Sequence, residues 1–222
     1  MANEIGWGEG ACNNDIGWGI AQEYFSCSGS GAAPVGATIL KTGQTTSYRT
    51  GDDGDLEAGR ATNFTTLASN NPFGNTNRFT DELGTQTYTN NIVIDWSTYD
   101  GSTVLGLYRA AIATGKTWNN AVDECLAFSI GSYTSGWRLP NMKEIYNFVN
   151  FVNAPENFLN YSPINLSSSG RVYWSSNTNV AGTVNAYVLN NVGMTSHVAK
   201  TTSVAFTYFP VRTFTVSGTT LT

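Results

Sequence analysis

The residues best suited to hold a ligand are three aspartates on one short turn, Asp52, Asp53 and Asp55, beside Gly51 and Gly54. Three carboxylates within four residues offer the oxygen donors that calcium prefers, on a segment flexible enough to wrap it. The same spacing also suits a solvated acidic turn whose side chains cap backbone amides. The pattern is not that of an EF-hand. Nucleophilic chemistry has less material. The single histidine, His197, stands in Thr195-Ser196-His197-Val198 with no adjacent nucleophile motif, and activation needs a paired base. Cys12, Cys27 and Cys125 are too widely spaced for a zinc site. Gly6-Trp7-Gly8-Glu9-Gly10 lacks the strand-to-helix setting of a phosphate loop. Trp137-Arg138-Leu139-Pro140 reads as structural, with Trp137 and Leu139 in the core and Arg138 paired to an acid such as Glu144. Tyr161, Tyr173 and Tyr187 suit sugar stacking, a core or an interface equally. The Glu-Pro-Asn and Gln-Pro-Asp signatures of calcium-dependent sugar binding are absent. These residues predict no enzyme and no cofactor, with calcium at the acidic turn the one metal to consider.

Composition narrows the setting. The chain has 222 residues, 41% hydrophobic and 13% aromatic, enough for a substantial core. Charged residues are 12%, about half the usual share, and Asn, Thr, Ser and Gly take their place. The formal net charge is −5 and no Lys/Arg run occurs, so nucleic acid is not an expected partner. No apolar stretch reaches 18 residues, so membrane insertion through a helix is not expected. Met1-Ala2-Asn3-Glu4 begins neither a basic region nor an apolar signal core, so no export signal is expected.

Two segments organise the chain. Residues 1–34 form an extended docking segment and linker. In it Ile5-Gly6-Trp7-Gly8 recurs as Ile16-Gly17-Trp18-Gly19, and Ser28-Gly29-Ser30-Gly31 follows as a flexible connector. So glycine-rich a stretch cannot bury its own indoles. Ile5, Trp7, Ile16 and Trp18 therefore either anchor the segment to two equivalent grooves on a partner or pack back on their own domain.

Residues 35–222 read as one globular domain. Gln86–Thr89, Ile92–Trp96, Val172–Ser175, Asn185–Leu189, Val204–Thr207 and Pro210–Phe214 have strand composition. Asn190-Asn191-Val192-Gly193 reads as a hairpin turn. Helices are predicted from Thr117 to about Ile130, with Thr117 as cap, and from Asn141 to Pro155, with Asn141 and Glu144 as a capping box. Strands, two helices, then strands make an α+β domain.

Five motifs in order bear a family resemblance. They are Thr42–Tyr48 with Gly51–Asp55 and Gly59; Arg78-Phe79-Thr80-Asp81; Thr117-Trp118 with Ala121 and Cys125; Gly136–Pro140 with Lys143-Glu144; and Tyr173-Trp174-Ser175-Ser176. Phe209-Pro210-Val211-Arg212 fits the closing strand. Together, over roughly residues 39–214, they resemble the Lcl-type C-terminal domain of collagen-like bacterial adhesins. The resemblance implies a C-type-lectin-like fold, two helices around a small twisted antiparallel sheet with long loops, and a binding role without catalysis. That family often pairs a helix cysteine with one in the last strand. Here Cys125 has no such counterpart, which implies that the disulfide is lost and fits folding in a reducing cytoplasm.

The N-terminal repeat is similar to segments at the starts of tailed-phage structural proteins. Together the resemblances imply a virion structural protein made in the host cytoplasm, serving as a head or tail fiber, a decoration or a receptor-binding module. Residues 1–31 would bind other virion proteins, the domain would face a host receptor or glycan, and a homo-oligomer, a trimer by analogy with fibers, is expected. The alternative is a bacterial surface adhesin for host glycans or matrix.

Overall fold

The computed structural model describes residues 45–56, 64–110, 115–151, 158–159, 161–166, 172–190, 193–202 and 206–222. The chain divides into two units, Met1–Gly36 and Ala37–Thr222, and every described residue belongs to the second. Ile5, Trp7, Ile16 and Trp18 lie outside the described residues.

In chain order the described strands are β1 (Phe79–Thr80), β2 (Ile92–Asp95), β3 (Thr103–Tyr108), β4 (Trp137–Arg138), β5 (Val172–Thr178), β6 (Asn185–Asn190), β7 (Thr195–Ala199), β8 (Phe206–Thr207), β9 (Val211–Ser217) and β10 (Thr220–Leu221). One helical turn, α1 (Asp53–Leu56), and two short helices, α2 (Trp118–Leu126) and α3 (Met142–Asn147), accompany them. The first sheet runs β1-β2-β3-β9-β10, with β4 also on β9, and all of its pairs are antiparallel. The second runs β7-β6-β5-β8, with β8 parallel to β5.

This architecture overturns the expected α+β, C-type-lectin-like fold. The protein is mostly β, two sheets with ten described strands, and the helices are minor. Both predicted helix starts are present. The Thr117 hydroxyl accepts from the Asn120 amide, and Asn141 and Glu144 form a reciprocal capping box. Both helices end early, however. After Leu126 the chain turns, and Phe128 and Ile130 leave the α2 face to pack on Trp137 and the first sheet.

Two strands also carry weak sequence signals. β3 contains Gly106, which lowers strand propensity, yet a Cβ there would lie 2.5 Å from the Phe214 ring and 2.9 Å from Ile94. Only glycine lets β2, β3 and β9 close at that point. β7 reads Thr-Ser-His-Val-Ala, a polar edge with little burial. Conversely, Gln86–Thr89 is not a strand. It belongs to a loop that turns at Tyr88, which has a φ of 55°.

The first sheet is covered on both faces. Val93, Leu107 and Val211 pack with Ile145, Phe148, Leu159, Ile164 and Leu166 on one side. Ile92, Ile94, Val104, Trp137 and Phe214 form a second core on the other. All four residues of β2 are buried, and its first three, Ile92-Val93-Ile94, are a continuous apolar run rather than an alternation. A third core seats α2, through Ala121 and Cys125, against Trp174, Val188 and Tyr208.

A buried ion pair joins these parts. Arg78 and Asp95 are 1% and 0% exposed. Arg78 Nε and Nη2 donate to Asp95 Oδ1 and Oδ2 at 2.9 and 2.7 Å, and Nη1 and Nη2 reach the Phe64 and Asn147 carbonyls. Asp95 also accepts from the Ser97 amide and hydroxyl and from Asn147 Nδ2. The Phe64 and Phe79 rings each sit 4.4 Å from the guanidinium carbon. Removing one member leaves a buried charge without its counter-ion. Asp95→Asn or Arg78→Met is expected to lower unfolding free energy by about 3–5 kcal/mol in chemical denaturation, with Arg78→Met/Asp95→Leu less harmful than the sum of the single changes.

Candidate functional site

At the acidic turn the described carboxylates are occupied by the backbone. Asp52 accepts from the amides of Tyr48, Arg49 and Asp55 at 2.7, 3.1 and 2.9 Å, and Asp55 accepts from Gly51 at 2.8 Å. The Tyr48 amide above all holds the Asp52 carboxyl below its ordinary value. The Asp53 side chain lies outside the described set. Among the described residues, no three His, Cys, Asp or Glu side chains converge as a metal-binding group.

The other residues singled out from the sequence are dispersed. Arg138 makes a two-pronged pair with Glu144, at 2.7 and 2.6 Å, and Glu144 also takes the Asn141 amide, so this pair fastens β4 to the start of α3. Trp137 and Leu139 are buried. His197 lies on β7 opposite Tyr187, with the rings edge to face at 6.4 Å. Tyr173 is fully buried and donates to the Leu166 carbonyl. Cys125 is a free thiol, and burial pushes its pKa far up. Glu82 Oε2 and Arg212 Nη1 are buried without hydrogen-bond partners, and both charges act on the Tyr133 hydroxyl, which burial pushes upward.

The described residues that do converge on open space surround Arg109. A shallow cleft of about 250 Å³ is lined by Arg109, Tyr161, Ser162, Pro163 and Asn165. The β2–β3 register places Arg109 there. Ile92 pairs with Tyr108, so Arg109 and Asn91 face each other just beyond the strand ends. The Arg109 amide donates to the Asn91 carbonyl at 2.8 Å, and Arg109 Nε donates to Asn91 Oδ1 at 3.1 Å. The Tyr88 ring lies 5.0 Å from the guanidinium carbon. Tyr88 is itself fixed, because its hydroxyl donates to the Phe79 carbonyl and burial pushes that hydroxyl up to about 12. The opposite wall is anchored by buried Ile164 and Leu166 and by the Tyr161 hydroxyl, which donates to Phe148 O at 2.7 Å.

Sequence reasoning found Tyr161 but missed Arg109, Ser162 and Asn165. Arg109 follows the strand whose signal Gly106 had weakened. The paired asparagines Asn90-Asn91 ahead of an apolar run were the one local hint of a turn there. Compared with known proteins, the chain matches no family model, no curated protein and no solved structure.

Asp81 organises the loop that carries Tyr88. Its carboxylate accepts from the amides of Leu83, Thr85 and Tyr88 and from the hydroxyls of Thr85 and Thr87. Burial opposes its ionisation, but these bonds outweigh burial and hold its pKa below the ordinary value. A carboxyl depressed in the folded state stabilises above its unfolded pKa of about 3.9, and that contribution fades as pH falls through the lower folded value. Thermal midpoints measured from pH 6 to pH 2.5 should therefore lie lower for Asp81→Asn near neutrality and approach those of the unaltered chain in acid. For Cys125, a Cys12→Ser/Cys27→Ser chain should not react with DTNB when native and should titrate as one thiol once denatured.

Proposed function

We propose that this chain is a non-catalytic virion structural protein, with the N-terminal repeat docking on other virion proteins and the β-rich unit displayed as a fiber, decoration or receptor-binding module. The observation that carries the reading is the repeat. Ile5-Gly6-Trp7-Gly8 and Ile16-Gly17-Trp18-Gly19 present the same pair of anchor residues twice, within the unit Met1–Gly36. Tryptophan brings a large contact area with few rotors, which suits it to a groove on a partner.

The domain supports the same reading. The motif residues that resemble surface-adhesin domains hold loops together: Arg78 serves the buried pair with Asp95, Arg138 the pair with Glu144, and Asp81 the loop ahead of β2. Such cross-tying suits a rigid module that presents loops. The low charge content fits a surface that meets partners by hydrogen bonding.

Trp7→Ala/Trp18→Ala in the full chain tests the docking role. Each anchor of this kind contributes about 2 kcal/mol at an interface, so incorporation into particles should fall more than tenfold while the thermal midpoint of the domain is kept. Quantitative mass spectrometry of purified particles gives the readout. Incorporation equal to that of the unaltered chain would overturn the docking role.

A further inference from the structure

The three described non-glycine residues with positive φ all meet at one place. Tyr88 and Asn91, both at 55°, contact Arg109, and Asn165, at 37°, lines the same cleft. Asparagine adopts this backbone region readily, whereas a tyrosine there is strained, and strained positions cluster at active sites, ligand clamps and switches. Here the result is a positioned cation. Asn91 holds the Nε edge of Arg109 and the Tyr88 ring supports its plane, but neither Nη group hydrogen-bonds to another of the described residues. The side chains of Ser162 and Asn165 likewise make no hydrogen bond to another of the described residues, and both are exposed.

The chemistry of an occupant follows from these groups. A guanidinium whose Nη fork is free matches a planar carboxylate through two parallel hydrogen bonds. Because its rotamer is already fixed, little conformational freedom is lost on binding. Among the described residues the lining holds one cationic group and no acid, which favours a monoanion. Beside it stand a hydroxyl and an amide, which can donate to or accept from neutral hydroxyls, and Pro163 and the Tyr161 body give an apolar floor. The cleft is small and open, suited to one compact unit.

We propose that the Arg109 cleft binds a small hydroxylated monocarboxylate, a hydroxy acid or sugar acid. Arg109 grips the carboxylate while Ser162 and Asn165 bond its hydroxyls. This goes beyond the anchoring role and does not depend on it, because the cleft lies wholly within the unit Ala37–Thr222.

The test is a titration of the full chain, labelled with ¹⁵N, following the Arg109 Nε–H signal. Glucuronate serves as the probe; glucose, acetate, sulfate and inorganic phosphate serve as comparisons. Glucuronate should shift the signal with a dissociation constant on the order of millimolar, as expected where a ligand is only partly buried. Acetate should bind more weakly and glucose should not bind. Arg109→Gln should weaken glucuronate binding roughly tenfold or more, and Arg109→Lys should restore only part of it. Asn165→Gly keeps the left-handed backbone, removes the amide and should weaken glucuronate but not acetate. That variant keeps the test decisive if Arg109→Gln fails to fold. The proposal is overturned if glucuronate leaves the Arg109 signal unmoved, if sulfate or phosphate binds as well as glucuronate, or if Asn165→Gly leaves the preference for glucuronate over acetate unchanged.

Discussion

The buried pair between Arg78 and Asp95 is the constraint around which the rest of the unit is arranged. A guanidinium and a carboxylate without solvent are tolerable only when their hydrogen-bonding capacity is met. Meeting it here requires the Phe64 and Asn147 carbonyls, the Asn147 amide and the Ser97 amide and hydroxyl to converge from separate segments. The pair thus fixes the start of β1, the end of β2 and the last turn of α3 relative to one another. Apolar packing of the first core closes around it, with Phe64 and Phe79 as its walls. Hydrophobic burial supplies the larger driving force, but it is non-directional. The ion pair selects which of many compact arrangements is reached.

The Arg109 cleft depends on that selection. β1 leads directly into the Asp81 loop, whose Tyr88 backs Arg109, and β2 emerges from Asn91 on the same turn. The Tyr161 ring, which packs edge-on against Phe64 at 5.3 Å and also meets Phe79, forms the cleft wall on one side and touches the ion-pair enclosure on the other. The cleft is therefore an extension of the buried network to the surface. Arg109 is held from behind by Asn91 and Tyr88 rather than by the other cleft residues, which leaves its Nη fork on the open side.

Charge has an uneven distribution of roles in this chain. With 12% charged residues, few ionisable side chains are available, and several of the described ones secure backbone: Asp52 and Asp100 cap turns, Asp81 gathers a loop and Glu144 closes a capping box. Arg109 differs in its setting, with a fork that bonds none of the described residues and stands on a cleft. In a protein so sparing of charge, a positioned guanidinium facing solvent carries more functional information than it would on a lysine- and arginine-rich surface.

Local signals were legible in the sequence wherever the physics is local. Thr117 and Asn141 were identified as helix caps because capping is decided within four residues, and the Arg138–Glu144 pairing followed from the same short span. The strands β2, β5, β6 and β9 stood out by their branched and aromatic residues. The balance of the architecture was not local. α2 stops short because Phe128 and Ile130 are drawn to a different core. Gly106 weakens β3 as a sequence yet makes its close packing on Phe214 feasible, and polar β7 is a strand because β6 offers it an edge. These are decisions between distant segments, so the expected two-helix fold gave way to two sheets. The sequence by itself determined the repeat, the caps and the apolar strands. Only tertiary structure could bring Arg109, Asn91, Tyr88 and Asn165 together, because their proximity arises from strand register and from a loop more than fifty residues away.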